Sequence, residues 1–294
     1  SIASGSNYNV LIGDEAGTAL NAGDYNVAIG YQAGMALDAG SVNTLIGALA
    51  GDAATDADYL VAIGVSSQTN NVSSAYNTSV GGNTMLGVLT AADGYNTTVG
   101  YNGLRDLTAG EKNTVVGGLA GDALTEGSFN AVLGAEALTV DTKGTGSIAI
   151  GRAALETQNF TSATTTQNVA VGNQAGLRNS TGTENTFIGG YAGRFAGTSI
   201  GSTFIGTEAG LGNDSVRLDG DDNTAVGRDA GKLLQGTATN NTLIGAFAGD
   251  NITTGDSNII IGTSIDAASA TADNQLNIGG WITGVAGAIN IGGP

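Results

Sequence analysis

A glycine placed directly behind an aliphatic residue recurs along the whole chain at Gly13, Gly30, Gly47, Gly64, Gly81, Gly100, Gly117, Gly134, Gly151, Gly172, Gly189, Gly206, Gly227, Gly245, Gly262 and Gly279. Eleven of the fifteen intervals are 17 residues, and the others are 19, 21, 21 and 18. A fixed period of this size makes each repeat one structural unit whose core is completed by its neighbours. Longer intervals are then insertions that bulge from one corner without disturbing the next turn. The surrounding phrase is Asn-(Thr/Val)-x-(Ile/Val)-Gly-x-x-Ala-Gly, clean at Asn26 to Gly34, Asn185 to Gly193 and Asn241 to Gly249.

With 50 glycines in 294 residues the chain invites comparison with collagen and with disordered linkers, and it fits neither. Collagen needs glycine at every third place, and a single proline argues against a polyproline linker. With 41% hydrophobic and 12% charged residues the chain can order, so its Gly, Asn and Thr signal turns rather than disorder. No apolar run is long enough for a membrane span and no signal peptide opens the sequence, so no membrane insertion is expected. A first residue of Ser1 fits a processed or fragmentary product. Cysteine is absent, which rules out disulfides and leaves the redox compartment open.

A net charge of −17 argues against nucleic acid as a partner. The imbalance is local: residues 1–104 carry Asp14, Glu15, Asp24, Asp38, Asp52, Asp56, Asp58 and Asp93 and no base, while all nine basic residues lie between Arg105 and Lys232. The acidic end is expected to repel anionic surfaces and gather cations.

Position by position, the repeat reads as an extended strand turning at glycine. The residue before the glycine is aliphatic in every copy and is expected to be buried, giving a core ladder of Ile12, Ile29, Ile46, Ile63, Ile188, Ile205, Ile244 and Ile261. Two places earlier, on the same strand face, stand mostly β-branched residues such as Val10, Val27, Thr44 and Thr186, which suit a pleated surface. The residue between them points the other way and is apolar in thirteen of sixteen copies. That second stripe, with Leu11, Leu45, Val115, Val132, Phe187, Phe204, Leu243 and Ile260, is expected to pack against sister chains, three-fold symmetry being the simplest closed arrangement. A second layer of the same chain, or a two-fold assembly, is the alternative cover.

Asn stands four places before the glycine in twelve of sixteen copies, and Ala recurs three places after it. Stacked Asn residues can bond neighbouring backbone as a corner ladder, and small Ala lets a second short strand pass close. Each turn then reads as strand, Gly corner, short strand, polar corner. At about 4.8 Å per rung, sixteen turns span about 75 Å.

The Asn-Thr-x-Ile-Gly-x-x-Ala-Gly phrases resemble the repeats of phage tail-fibre shafts and are similar to the head repeats of trimeric autotransporter adhesins. The resemblance covers nearly the whole chain and is specific to the repeat class. It implies an all-β parallel β-solenoid or β-roll of about sixteen coils, left-handed, assembled as an obligate homotrimer. The 17-residue period is longer than the typical adhesin repeat. Residues 1–279 read as the repetitive shaft and 280–294 as a capping or transition segment that begins beside Trp281, the single tryptophan. Leu276-Asn277-Ile278-Gly279-Gly280-Trp281-Ile282 is similar to phrases that precede a self-cleaving chaperone in phage fibres. No such domain follows here, as expected of a mature fibre, and Trp281 reads as a cap or trimer plug.

Five places before the glycine an aromatic column runs through Tyr8, Tyr25, Tyr59, Tyr76, Tyr95 and Phe129. It reads as self-stacking that stiffens a corner, or as a track for glycan or receptor binding. With neither His nor Cys, His-based triads, thiol nucleophiles and the usual zinc sites are unsupported. A paired-carboxylate, polysaccharide-degrading tailspike is the enzymatic alternative, but Glu15, Glu136 and Glu208 read as solvated face charges. No cofactor is expected. Calcium is the one candidate, through oxygen ligands at Asp219 to Asp222 or Asp52 to Asp58. Residues 156–167 and Gly212 to Asp222 are insertions suited to display. A Thr column also raises ice binding, but it is interrupted by Val, Ile and Ala and is expected to face inward. Together these features point to a non-enzymatic homotrimeric fibre shaft on a virion surface, or otherwise extracellular, carrying a host-attachment surface. A bacterial surface adhesin or filament subunit is the alternative.

Overall fold

In a computed structural model, which describes residues 5–90, 94–285 and 287–291, the chain forms about sixteen parallel β-solenoid turns with strands as the only regular element among those residues. Asp93, counted among the amino-terminal acids, and Gly292 to Pro294 of the expected terminal segment lie outside them. The chain divides into two compact units. The first is Ser1–Gly146 with Phe160–Thr164, and the second is Ser147–Asn159 with Thr165–Pro294.

In the first unit each turn contributes one three-residue strand: Val10–Ile12, Val27–Ile29, Thr44–Ile46, Val61–Ile63, Thr78–Val80, Thr97–Val99, Thr114–Val116 and Ala131–Leu133. The second unit repeats this with Ile148–Ile150, Val169–Val171, Thr186–Ile188, Thr203–Ile205, Thr224–Val226, Thr242–Ile244 and Ile259–Ile261, then the longer Gln275–Ile278. Pairing follows the repeat without slip, so Val10, Leu11 and Ile12 lie beside Val27, Ala28 and Ile29, and Phe187 lies beside Phe204.

The alternation of the strand is as expected, but its direction is reversed. The middle residues Leu45, Val115, Phe187, Phe204, Leu243 and Ile260 are fully buried, Val132 is 2% exposed and Leu11 in the first coil is half-buried. These side chains, expected at a trimer interface, are the core of their own coils. The residues expected to form the core ladder point outward. Ile12 is 57% exposed, Ile188 38%, Ile205 37% and Ile244 40%, while Ile29, Ile46, Ile63 and Ile261 are half-buried.

The physical reason lies across the coil, where the chain offers room for the middle residue. Four places after the motif glycine stands, in every coil from Gly13 to Gly245, either a second glycine or a large side chain. Where that residue is Gln68, Met85, Leu104, Leu138 or Leu155, the strand residue of the same coil is Ala62, Ser79, Thr98, Val132 or Ala149. Where the strand supplies Leu45 or Phe204, the facing residue is Gly51 or Gly210. A Cβ built on Gly51 would lie 2.8 Å from Leu45 Cδ2, and one on Gly210 2.5 Å from Phe204 Cγ. Close-packed interiors leave no other place for these groups. Leu37, Leu107, Leu124, Leu234 and Ile252, seven places after the motif glycine, close the core from the far side and are fully buried.

The side opposite the strand is not the second short strand expected. Ala33 N donates to Gly30 O, Met35 N to Gln32 O and Leu37 N to Gly34 O, so the chain runs through consecutive β-turns. Gln32 and Gly34, third in the first two turns, have φ of 54° and 57°, as type II turns require. Adjacent coils still bond there, as in Gly34 N to Ala50 O at 2.9 Å.

Two ladders hold the corners. At the motif glycines the backbones of successive coils touch: a Cβ on Gly30 would lie 2.6 Å from the carbonyl carbon of Gly47, and one on Gly47 equally close to that of Gly64. At the other corner the expected Asn ladder is present. Asn113 Oδ1 accepts the Asn130 N–H at 3.0 Å, Asn113 Nδ2 donates to Gly127 O at 2.9 Å, and Asn113 N–H donates to Asn96 Oδ1 at 3.0 Å. Each buried amide thereby satisfies two coils.

After Gln275–Ile278 the parallel order ends. Ile282–Val285 pairs antiparallel with it through a turn containing Gly279, Gly280 and Trp281, and Ala288–Ile291 pairs antiparallel with Ile282–Val285. Trp281 is 64% exposed.

Candidate binding and association surfaces

The outward strand face carries two columns in each unit. One is aliphatic throughout, from Ile12 to Leu133 in the first unit and from Ile150 to Ile261 in the second. The other, two residues earlier, mixes Thr with Val, Ala and Ile. Its threonines face outward, against the inward direction expected of them: Thr44, Thr186 and Thr203 are half-buried and Thr114 is exposed. No second layer of the chain covers either column among the described residues; Val10, Val99, Leu133, Ile148 and Ile259 are all exposed.

The aromatic column forms as the spacing suggests. Tyr8 stacks on Tyr25 with centroids 4.9 Å apart, and Tyr59, Tyr76 and Tyr95 form a run at 5.2 and 4.8 Å. Interplanar angles of 2° to 10° mean the rings cover one another's faces, which leaves mainly edges for a ligand. Val42 breaks the run between Tyr25 and Tyr59, and the ring of Phe129 lies under Lys112 Nζ at 5.2 Å. Every residue of the column has positive φ, 58° at Tyr25 and 61° at Val42.

Several of the acidic residues are engaged with backbone. Asp24 Oδ1 accepts the Asn7 N–H and Asp58 Oδ1 the Ser41 N–H, each at 2.6 Å. Asp219 Oδ1 accepts from Thr198 N at 3.0 Å, and Asp221 Oδ1 from Ile200 N at 2.8 Å. Among the described residues no group of three or more Asp or Glu side chains is placed to hold a metal ion, so the calcium candidates at Asp52 to Asp58 and Asp219 to Asp222 are not brought together. Asp52 is pushed above the usual carboxylate range by burial, and its Oδ1 has no hydrogen-bond partner.

Sequence reasoning missed one carboxylate pair. Asp250 and Asp266 line a depression of about 260 Å³ with Phe247 and Ser264. Burial, and then the hydrogen bond that the protonated Asp250 carboxyl donates to Asp266, raise Asp250 above its ordinary value. A hydrogen-bonded pair is closer than the roughly 5–9.5 Å separation of glycosidase carboxyl groups. Only the three-dimensional turn could reveal it, because the two acids belong to successive coils. A second cavity, about 400 Å³, lies where the parallel turns give way to the terminal hairpins, lined by Ile260, Ala267, Gln275, Leu276 and Val285 among others.

Comparison with protein-family models, with curated proteins and with solved structures found no match to the chain.

Proposed function

We propose that the chain is a structural shaft of an extracellular fibre, non-enzymatic and homotrimeric, that presents a host-attachment surface, with a virion fibre as the first reading. The observation that carries it is the outward aliphatic column: Ile12, Ile188, Ile205 and Ile244 stay exposed on parallel strands, in register with their neighbours. A contiguous apolar face of this kind marks an interface. The interface is assigned to this column and not to the buried Leu45 and Phe187 face. Two chemically different columns side by side suit a cyclic assembly in which each chain offers one column to each neighbour. The repeat phrases that resemble fibre shafts and trimeric adhesin heads support the same reading, and a bacterial surface adhesin or filament subunit shares it.

Sedimentation equilibrium tests the proposal. The expected mass is three times 28.8 kDa, falling to 28.8 kDa when Ile46→Asp and Ile188→Asp are combined. A wild-type mass of 28.8 kDa at micromolar concentration would overturn it.

A further inference from the structure

Acids outnumber bases 26 to 9 in this chain, so an unpaired cation is unexpected. Arg105, Lys112, Lys143, Arg178, Arg228 and Lys232 each face a carboxylate. Among the described residues Arg194 and Arg217 do not, and both belong to one corner of the second unit. The half-buried Arg194 guanidinium lies 5.2 Å from the Tyr191 ring and 4.9 Å from the Phe195 ring, with Nε buried and without a hydrogen-bond partner.

The insertion of the 21-residue repeat brings Arg217 against Gly197, three residues along from Arg194. Leu218 N donates to Phe195 O at 3.1 Å and Gly197 N to Leu218 O at 2.7 Å, which lays the loop along Phe195 to Gly197. The Arg217 chain then passes over Gly197, where an added Cβ would lie 3.2 Å from Arg217 Cβ. Of the acids on this loop, Asp214 faces Arg178 Nε at 3.7 Å, and Asp219, whose Oδ1 accepts from Thr198 N and Oγ1, forms no ion pair with either arginine.

We propose that Arg194 and Arg217, with Tyr191 and Phe195, form a binding site for an acidic glycan, a sugar bearing carboxylate or sulfate. Guanidinium groups offer the paired donors such anions take, and stacking on the rings fixes Arg194 so that little freedom is lost on binding. Aromatic side chains beside the cations supply apolar surface for the sugar ring. The net charge of −17 disfavours a dense polyanion such as nucleic acid, whereas an isolated anionic sugar meets only this corner. Such a site rests on the attachment role proposed above and deepens it, but it lies within one chain and does not require association.

The test is calorimetric titration of the full chain with an oligogalacturonate, a sulfated oligosaccharide and a neutral dextran oligosaccharide. The acidic probes are expected to bind more tightly than the neutral one and to weaken with salt. Arg194→Gln with Arg217→Gln is expected to lower that affinity about tenfold or more. Arg228→Gln, which removes a guanidinium lying on Phe247, is expected to leave it unchanged. Equal binding of acidic and neutral probes, no binding of either acidic probe, or an unaffected double variant with unchanged circular dichroism would each overturn the site. The assembly mass, measured on the same samples, separates that failure from failure of the shaft reading.

Discussion

Leu45 and Gly51 face each other inside one coil, and a Cβ on Gly51 would stand 2.8 Å from Leu45 Cδ2. Gly51 also has φ +57°. Gly51→Ala is therefore expected to destabilise the protein by about 1–3 kcal/mol, read as a shift in urea midpoint. Leu45→Ala in the same chain should relieve the clash, so a double-mutant cycle should return a coupling energy of about 1 kcal/mol or more. Gly47→Ala should cost more than Gly51→Ala, because its neighbour is the carbonyl carbon of Gly64 at 2.6 Å and backbone cannot swing aside.

The same pair shows what was legible in the sequence. Period, parallel register, glycine corner and Asn ladder follow from spacing alone, because each depends on one position repeating. Which strand face turns inward does not, since both are apolar. Uniformity suggests burial at Ile46 and Ile63, yet a uniform column equally suits an outer face where every rung meets the same surroundings. The buried column varies from Ala to Phe, and in several coils its size compensates what lies opposite, while Gly34 and Gly176, facing Ala28 and Ala170, make room for Leu45 and Phe187 of the next coil. That compensation, Ser79 with Met85 and Leu45 with Gly51, was present in the sequence as a signal for the core. The second short strand is absent for a related reason: alternating residues of positive φ, Gln32 and Gly34 among them, make turns instead of a pleat.

The Asn ladder predicts a large local effect. Asn113→Ala removes the acceptor of the Asn130 N–H and the donor to Gly127 O, both fully buried. A loss of about 2–4 kcal/mol is expected, measured by chemical denaturation, because each abandoned backbone group costs about 1–3 kcal/mol. Asn113→Asp keeps the acceptor and loses the donor, and should not restore stability.

Val42 is a stabilising target. Its φ of 61° strains a β-branched residue, and it interrupts the stacked rings between Tyr25 and Tyr59. Val42→Asn should raise stability by about 1 kcal/mol by relieving that strain. Val42→Tyr should in addition strengthen the near-ultraviolet circular dichroism of the column, as a ring added between the two runs makes them one.

Acid dependence follows from Asp250 and Asp52. Burial raises both carboxyls above 3.8, with the hydrogen bond that protonated Asp250 donates to Asp266 adding to the effect there. Above that value the folded state then binds more protons than the unfolded chain, so stability falls as pH rises through the window. Asp106 has the opposite sign. Its hydrogen bond from Arg105 holds it low, and its contribution is lost as pH falls below 3.8. Asp250→Asn should therefore raise the urea midpoint at neutral pH and flatten its slope just above the ordinary carboxylate value.

The direction of the strand faces is tested most directly by placing a charge on each side of one strand, Leu45→Asp against Ile46→Asp, and recording far-ultraviolet circular dichroism with assembly mass. The account predicts that Leu45→Asp abolishes the β signal, whereas Ile46→Asp keeps it and lowers the mass. An Ile46→Asp protein that unfolds beside a Leu45→Asp protein that stays folded but dissociates would contradict it.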